Sequence, residues 1–361
     1  HAPSVRLWYN SPMSSTPSPR RSKPRIPGWQ QDARDHAWDY LVRFAMNPGV
    51  EKIAGQFDTH FALIKDPNER LDYLQQLAAK EWDFRKGRER FEVTEEQEID
   101  QPGNKSGAII YEGAAYAEMG TSSRATLKKY SIVAVLGGAN MGPYYRLKYA
   151  LEQNVGYGML AYLGSERALA DPEKEISSVY AKGAQTEFDL GKGAITSLMT
   201  DKLTDDGVGE YDVFTSEWHI TRLQQKDGVP VMLLSSPPFL GGKRANTADT
   251  YDFMRRLEQE AFTPTENILF TTGSLYRYAQ YFDAMREICL RTGVDIEIIG
   301  FEPRYSGMEF KASQFLQELK AAADASIRLR NAVNGDENRN EWRKKYYNRF
   351  TRDESMRPEK N

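Results

Sequence analysis

From about residue 130 onward, short apolar runs alternate with amphipathic stretches, and this alternation limits the folds open to the chain. The runs read SIVAVLG, YGMLAYLG, VPVMLLSS, NILFTTG and VDIEIIGF, and most of them stop at Gly or Ser. Between them lie YYRLKYALEQ, TADTYDFMRRLEQEAF and YRYAQYFDAMREICLRTG, whose apolar residues recur at helical spacing. Strand, helix, strand, helix implies right-handed βαβ units and a mostly parallel sheet. Runs that are apolar throughout fit strands covered on both faces. A further helix is expected over EFKASQFLQELKAAADASIRLRNAV.

The stretch before residue 106 has a different character. Residues 1–28 are rich in Pro, Ser and Arg and are expected to be a disordered tail, since they cannot bury enough apolar surface to order themselves. Met13 stands inside it as a candidate natural start. Residues 29–105 read as a helical region. Trp38, Leu41, Val42 and Ala45 share one helix face. In DPNERLDYLQQLAAKEW, Asp66 has the place of an N-cap, Pro67 the first helical position and Glu69 the capping-box position, with Leu71, Leu74 and Ala78 facing inward. Residues 91–105 read as a polar connection. The α/β domain is expected over 106–333 and a polar tail over 334–361, where Trp342, Tyr346, Tyr347 and Phe350 have the spacing of a docking helix.

Composition excludes some functions. The chain has 361 residues and a net charge of −3, which argues against a nucleic-acid or membrane surface spread over the whole protein. Only the tails are basic, through Arg20, Arg21, Lys23 and Arg25 at one end and WRKKYYNR at the other. No apolar run approaches the ~18 residues of a membrane span, so a soluble, cytoplasmic protein is expected. Cys289 is the single cysteine, so no disulfide within the chain and no cysteine zinc cluster can form. Its surroundings suggest a small buried hydrophobe. His36 and His60 read as structural, and no spacing suggests metal ligands.

In an open parallel sheet, ligands bind beyond the carboxyl ends of the strands, so the loops that follow the apolar runs are the places to look. In LGGANMGPYYR, Gly137 and Gly138 allow close backbone approach before a helix start, and Asn140 and Arg146 can add side-chain contacts. LGSERAL offers Ser165, Glu166 and Arg167, and GAQTEFDLGKGA offers Gln185, Thr186, Glu187 and Asp189. LLSSPPFLGGKRANTADTYDF gathers Lys243, Arg244, Asn246, Thr247 and Asp249, of which an N-cap role explains only part. FTTGSLYRYAQ adds Thr271, Thr272, Ser274, Tyr276 and Arg277. Together these loops imply a pocket rich in amide, hydroxyl and guanidinium groups. Glu187 and Asp249 are its candidate general bases, while Arg146 and Arg244 can hold an anion.

SIVAVLGGAN followed by YYRLKYALE, then RANTADTYDF, then NILFTTGSLYRYAQYFDAMRE, resembles in order the motifs of the YdcF, SanA and ElyC family, over about residues 130–302. The resemblance implies a Rossmann-like three-layer α/β sandwich. It also implies a small anionic or nucleotide-like ligand, with a nucleotide or S-adenosylmethionine as the cofactor-like molecule bound. Gly137, Gly138, Arg146, Asn246, Thr247 and Asp249 would then be pocket residues. The sequence departs from the family's Asn near Thr250 and Tyr251 and from its His near Tyr276–Tyr278. The expected function is an enzyme, a transferase or hydrolase, acting on a nucleotide-like or phosphorylated small molecule. The alternatives are a non-catalytic ligand-sensing module with the same pocket, and a nucleic-acid interaction protein working through its basic tails.

Overall fold

The computed structural model describes residues 28–88, 93, 95–204, 211–214, 219–236, 245–258 and 266–335. It opens with α1 (Trp29–Ala45), α2 (Pro48–Ala54), α3 (Pro67–Glu81) and α4 (Lys105–Tyr116). The Asn47 side chain caps α2 by accepting from Gly49 N at 2.7 Å, and Asp66 caps α3 by accepting from Glu69 N at 3.0 Å. Leu71, Leu74 and Ala78 face inward from α3. On α1 the buried stripe is Ala33, Ala37, Leu41, Phe44 and Ala45, while Trp38 and Val42 are only half-buried. The inward face is therefore rotated from the one that runs through Trp38, which still packs against the edge of the core. The helical region also continues past residue 105 through α4. A Cβ at Gly113 of α4 would stand 2.9 Å from the Gly49 carbonyl oxygen, so α2 and α4 cross in backbone contact.

The α/β part follows. It comprises β1 (Lys129–Leu136), α5 (Gly142–Glu152), β2 (Gly156–Gly164), α6 (Asp171–Ser177), α7 (Glu187–Met199), β3 (Tyr211–Phe214), β4 (His219–Gln224) and β5 (Pro230–Ser235). Then come α8 (Thr247–Leu257), β6 (Asn267–Gly273), α9 (Arg277–Ala284), a π-helical turn Met285–Cys289, α10 (Leu290–Thr292), β7 (Asp295–Phe301) and α11 (Ala312–Asn334). The seven strands form one sheet in the order β3-β4-β5-β2-β1-β6-β7. β5, β2, β1, β6 and β7 are mutually parallel, and β4 runs antiparallel to both β3 and β5. The parallel strands stand third, second, first, fourth, fifth in chain order, which is the doubly wound, Rossmann-like arrangement.

The pleat divides the apolar side chains between two cores. Val133 and Val135 of β1, Leu160 of β2 and Leu233 of β5 pack with Leu147 and Ala150 of α5 and Phe188 and Ile195 of α7. Ile132 and Ala134, Ala161, Leu234 and Phe270 point the other way, into a larger core with α8, α9, α11 and the N-terminal helices. The N-terminal helices thus form an outer layer on that side. Tyr40 of α1 lies 4.2 Å from Tyr281 of α9 between ring centres, and Phe44 lies 5.0 Å from Phe282. Beyond β7, Ser123 N donates to the Gly300 carbonyl at 2.8 Å, and Gly300 N and Glu302 N donate to the hydroxyls of Ser123 and Ser122 at 3.0 and 2.9 Å. Among the described residues no helix is long and apolar enough to cross a membrane.

Candidate functional site

β1 and β6 are neighbours, yet their crossovers leave toward opposite faces: α5 packs in the smaller core and α9 in the larger. The loops after these two strands therefore diverge, which opens a crevice at the carboxyl edge of the sheet. A cavity of about 650 Å³ occupies this position. Its wall includes Gly137, Gly138, Asn140 and Arg146 after β1, Ser165 and Arg167 after β2, Glu187 at the start of α7, and Asn246 and Thr247 at the start of α8.

The loop after β1 is built by close approach. Gly137 N donates to the Leu163 carbonyl at 2.6 Å, and a Cβ on Gly137 would lie 2.6 Å from that same oxygen. A Cβ on Gly138 would instead meet the Arg146 guanidinium, 3.1 Å from Nη1. Asn140 adopts φ +54°, a left-handed conformation that Asn tolerates better than most residues. Its carbonyl accepts from the Tyr180 hydroxyl at 2.6 Å. Arg146, one turn into α5, is buried; its Nη1 donates to the Leu136 carbonyl at 3.0 Å and also to the Gly137 carbonyl. Its guanidinium carbon lies 5.3 Å from the centre of the Tyr276 ring.

On the β2 side a buried ionic network forms the wall. Glu187 Oε2 accepts from Ser165 Oγ at 2.5 Å, and Glu187 Oε1 accepts from Arg167 Nε at 2.8 Å. The remaining nitrogens of Arg167 donate to the two oxygens of Glu173 at 2.9 and 3.0 Å. Glu173 Oε2 also accepts from Ala170 N at 2.8 Å at the start of α6. Arg167 therefore ties the starts of α6 and α7 together. The Tyr162 hydroxyl donates to the Glu187 carbonyl at 2.9 Å, and full burial raises the pKa of that phenol well above its ordinary range.

The structure brings most of the sequence-derived site residues together, but not all. Asp249 is buried, lies outside the cavity wall, and accepts from Asn246 N at 2.9 Å while its own N donates to Asn246 Oδ1 at 3.0 Å. That reciprocal capping box is an N-cap role for the pair. Thr272 is fully buried in β6 and is not part of the wall. Arg277 pairs with Glu118 at 2.8 Å, also away from the wall. Lys243, Arg244 and both basic tail segments lie outside the described residues. Glu166 sits beside the crevice, with Oε1 3.7 Å from His219 Nδ1; burial raises its pKa above the ordinary 4.5, against the opposing effects of Ser235 and His219. The His219 ring stacks on Phe188 at 4.1 Å. Cys289 is buried, which pushes its thiol up to about 12.

Several wall residues were not singled out from sequence: Arg85, Glu173, Gln280, Phe310 and Gln314. Glu173 had a local signal, three residues after Ala170 and just behind Pro172 at the start of a helix. Arg85 and Gln314 come from the helical region and α11, and no strand-end rule reaches them. Among the described residues no group of His, Cys, Asp or Glu has the makings of a metal site.

Residues 30–105, essentially the helical region before α4, match a family model described as the Rv3785 N-terminal domain. The chain is 27% identical over 261 residues to the uncharacterized protein Rv3785 of Mycobacterium tuberculosis (strain ATCC 25618 / H37Rv), covering 66% of this chain and 70% of that protein. The uncharacterized protein Mb3814 of Mycobacterium bovis (strain ATCC BAA-935 / AF2122/97) matches with the same identity and coverage. No solved structure matches the chain.

Proposed function

We propose that this protein binds a small anionic molecule, nucleotide-like or phosphorylated, in the crevice between β1 and β6. Arg146 carries the reading. It is buried, it lines the cavity, and its bonds to the Leu136 and Gly137 carbonyls fix a guanidinium at the switch point of the sheet. The first turns of α5 and α8 belong to the same wall, and helix starts favour negative charge. The volume of about 650 Å³ lies within the range of ~300–1,000 Å³ usual for small-molecule sites.

Turnover, as a transferase or hydrolase, is a second reading with one observation in its favour. Ser165 Oγ and Glu187 Oε2, 2.5 Å apart in the wall, place a hydroxyl beside a carboxylate, as proton transfer requires. The Glu187 carboxylate also holds Arg167, and this favours binding over catalysis as the primary reading.

Thermal unfolding with ATP, UDP-glucose, S-adenosylmethionine and inorganic phosphate tests binding. A bound molecule at one hundred times its dissociation constant stabilises by about 2.7 kcal/mol. S-adenosylmethionine in the panel tests the likeness to the YdcF, SanA and ElyC family directly. Mass spectrometry of the bound molecule after incubation separates an enzyme from a sensor. No shift with any anion, together with an unchanged profile for Arg146→Met in the same panel, sinks the reading.

A further inference from the structure

A tetrahedral anion displaces only a few water volumes of ~30 Å³ each, so a phosphate on Arg146 would fill a small part of a cavity of about 650 Å³. The wall shows where the rest of a ligand would run. Tyr276, which covers Arg146, lies 6.5 Å from Phe310 between ring centres, and both rings line the cavity. The wall also includes Gln314 of α11 and Arg85, which follows α3 and belongs to the N-terminal helical region. The Arg85 backbone N donates to Gln317 Oε1 at 3.2 Å, which fixes its position on α11. Its Nη2 donates to Glu318 Oε1 at 2.7 Å, with side-chain exposures of 28% for Arg85 and 10% for Glu318. A guanidinium has five N–H donors, so this bond leaves Arg85 able to receive a second acceptor. Glu309 shares the rim and is exposed, where water screens its charge.

We infer that the ligand of this pocket carries a second anionic group, received by Arg85 from the N-terminal helical region, with Glu318 as the counter-ion that holds the guanidinium in place. The inference rests on the reading of Arg146 as the first anion site. It makes the class of ligand a bis-anionic one, such as a sugar or nucleoside bisphosphate, and makes Arg85 a specificity residue.

Isothermal titration of the full chain with two matched pairs tests it: adenosine 5′-monophosphate against adenosine 3′,5′-bisphosphate, and ribose 5-phosphate against ribose 1,5-bisphosphate. The parent is expected to prefer the bisphosphate of one pair by about tenfold, the scale of one charge-assisted hydrogen bond. Arg85→Gln should lose that preference and Arg85→Lys should keep most of it. Glu318→Gln should raise bisphosphate affinity. The double variant Arg85→Gln with Glu318→Gln leaves neither charge unpaired; it should fold as the parent does and show no preference. Parent binding without preference, or a preference that survives Arg85→Gln, overturns the inference and leaves the Arg146 reading intact. A parent that binds no member of either pair overturns both.

Discussion

Arg146 and Tyr276 meet across the switch point of the sheet, guanidinium carbon to ring centre 5.3 Å, one from the helix after β1 and the other from the turn after β6. The contact joins the two loops whose divergence opens the crevice, so the residue best placed to hold an anion is also the one that spans it. Arg146→Met should lower affinity for phosphorylated ligands by more than tenfold. It should also lower stability by about 1–3 kcal/mol, because the Leu136 and Gly137 carbonyls lose a donor. Tyr276→Leu should weaken binding less, on the cation–π scale of ~0.5–2 kcal/mol. Denaturant melts and ligand titration of both variants check the order.

The adjacent glycines should behave differently. At Gly137 an added Cβ would strike the Leu163 carbonyl at 2.6 Å, and backbone cannot move aside cheaply. At Gly138 the Cβ would press on the end of the Arg146 side chain at 3.1 Å. Gly137→Ala should therefore destabilise by ~1–3 kcal/mol, in the manner of overpacking. Gly138→Ala should melt close to the parent and lose ligand. Equal melting temperatures for the two variants would contradict this packing account.

Asp249→Asn should cost about 1 kcal/mol of stability, since it weakens one arm of the capping box, and Asn246→Ala about the same. Ligand affinity should follow Asn246, which lines the wall, and ignore Asp249, which does not. A binding defect in Asp249→Asn at unchanged stability would restore that carboxylate to the site.

Glu166 gives a pH signature. Burial raises its folded pKa above the unfolded 4.5, so the native state binds the extra proton. Its contribution is fully present below 4.5 and is lost as pH rises through the raised folded value. Glu166→Gln should be more stable than the parent at neutral pH and lose that advantage in acid. Urea midpoints across the acidic range measure it.

Cys289 should be inert in the folded chain. Burial and a thiol pushed up to about 12 leave almost no thiolate at neutral pH. Labelling by a disulfide reagent should proceed only as fast as the protein unfolds, and rapid labelling of the native chain would contradict the burial.

The parallel strands were legible because each holds a short run rich in branched and aromatic apolar residues; NILFTTG is β6 to the residue. The helix cap at Asp66 and an N-cap in the segment holding Asn246 were legible because capping is local chemistry. β3 and β4 were not expected; in HITRLQ only Ile220 and Leu223 are apolar, and they form no continuous run. α4 was missed because glycines in KSGAIIYEGAAY argue against a helix until its contact with α2 is known. At the site, residues that follow β1, β2 and β5 line the cavity as the strand-end rule expects. Asp249 is drawn into a local capping box and Arg277 into a long-range pair with Glu118, and neither lines the wall.

The pairing of Ser122 and Ser123 with β7 bears on how copies of this chain can meet. A neighbour seeking to lengthen the sheet there would need the amides of Gly300 and Glu302 and the carbonyl of Gly300, and all of these are already bonded within the chain. The carboxyl end of that border is closed to strand addition, and contacts made there fall to side chains rather than to a main-chain ladder.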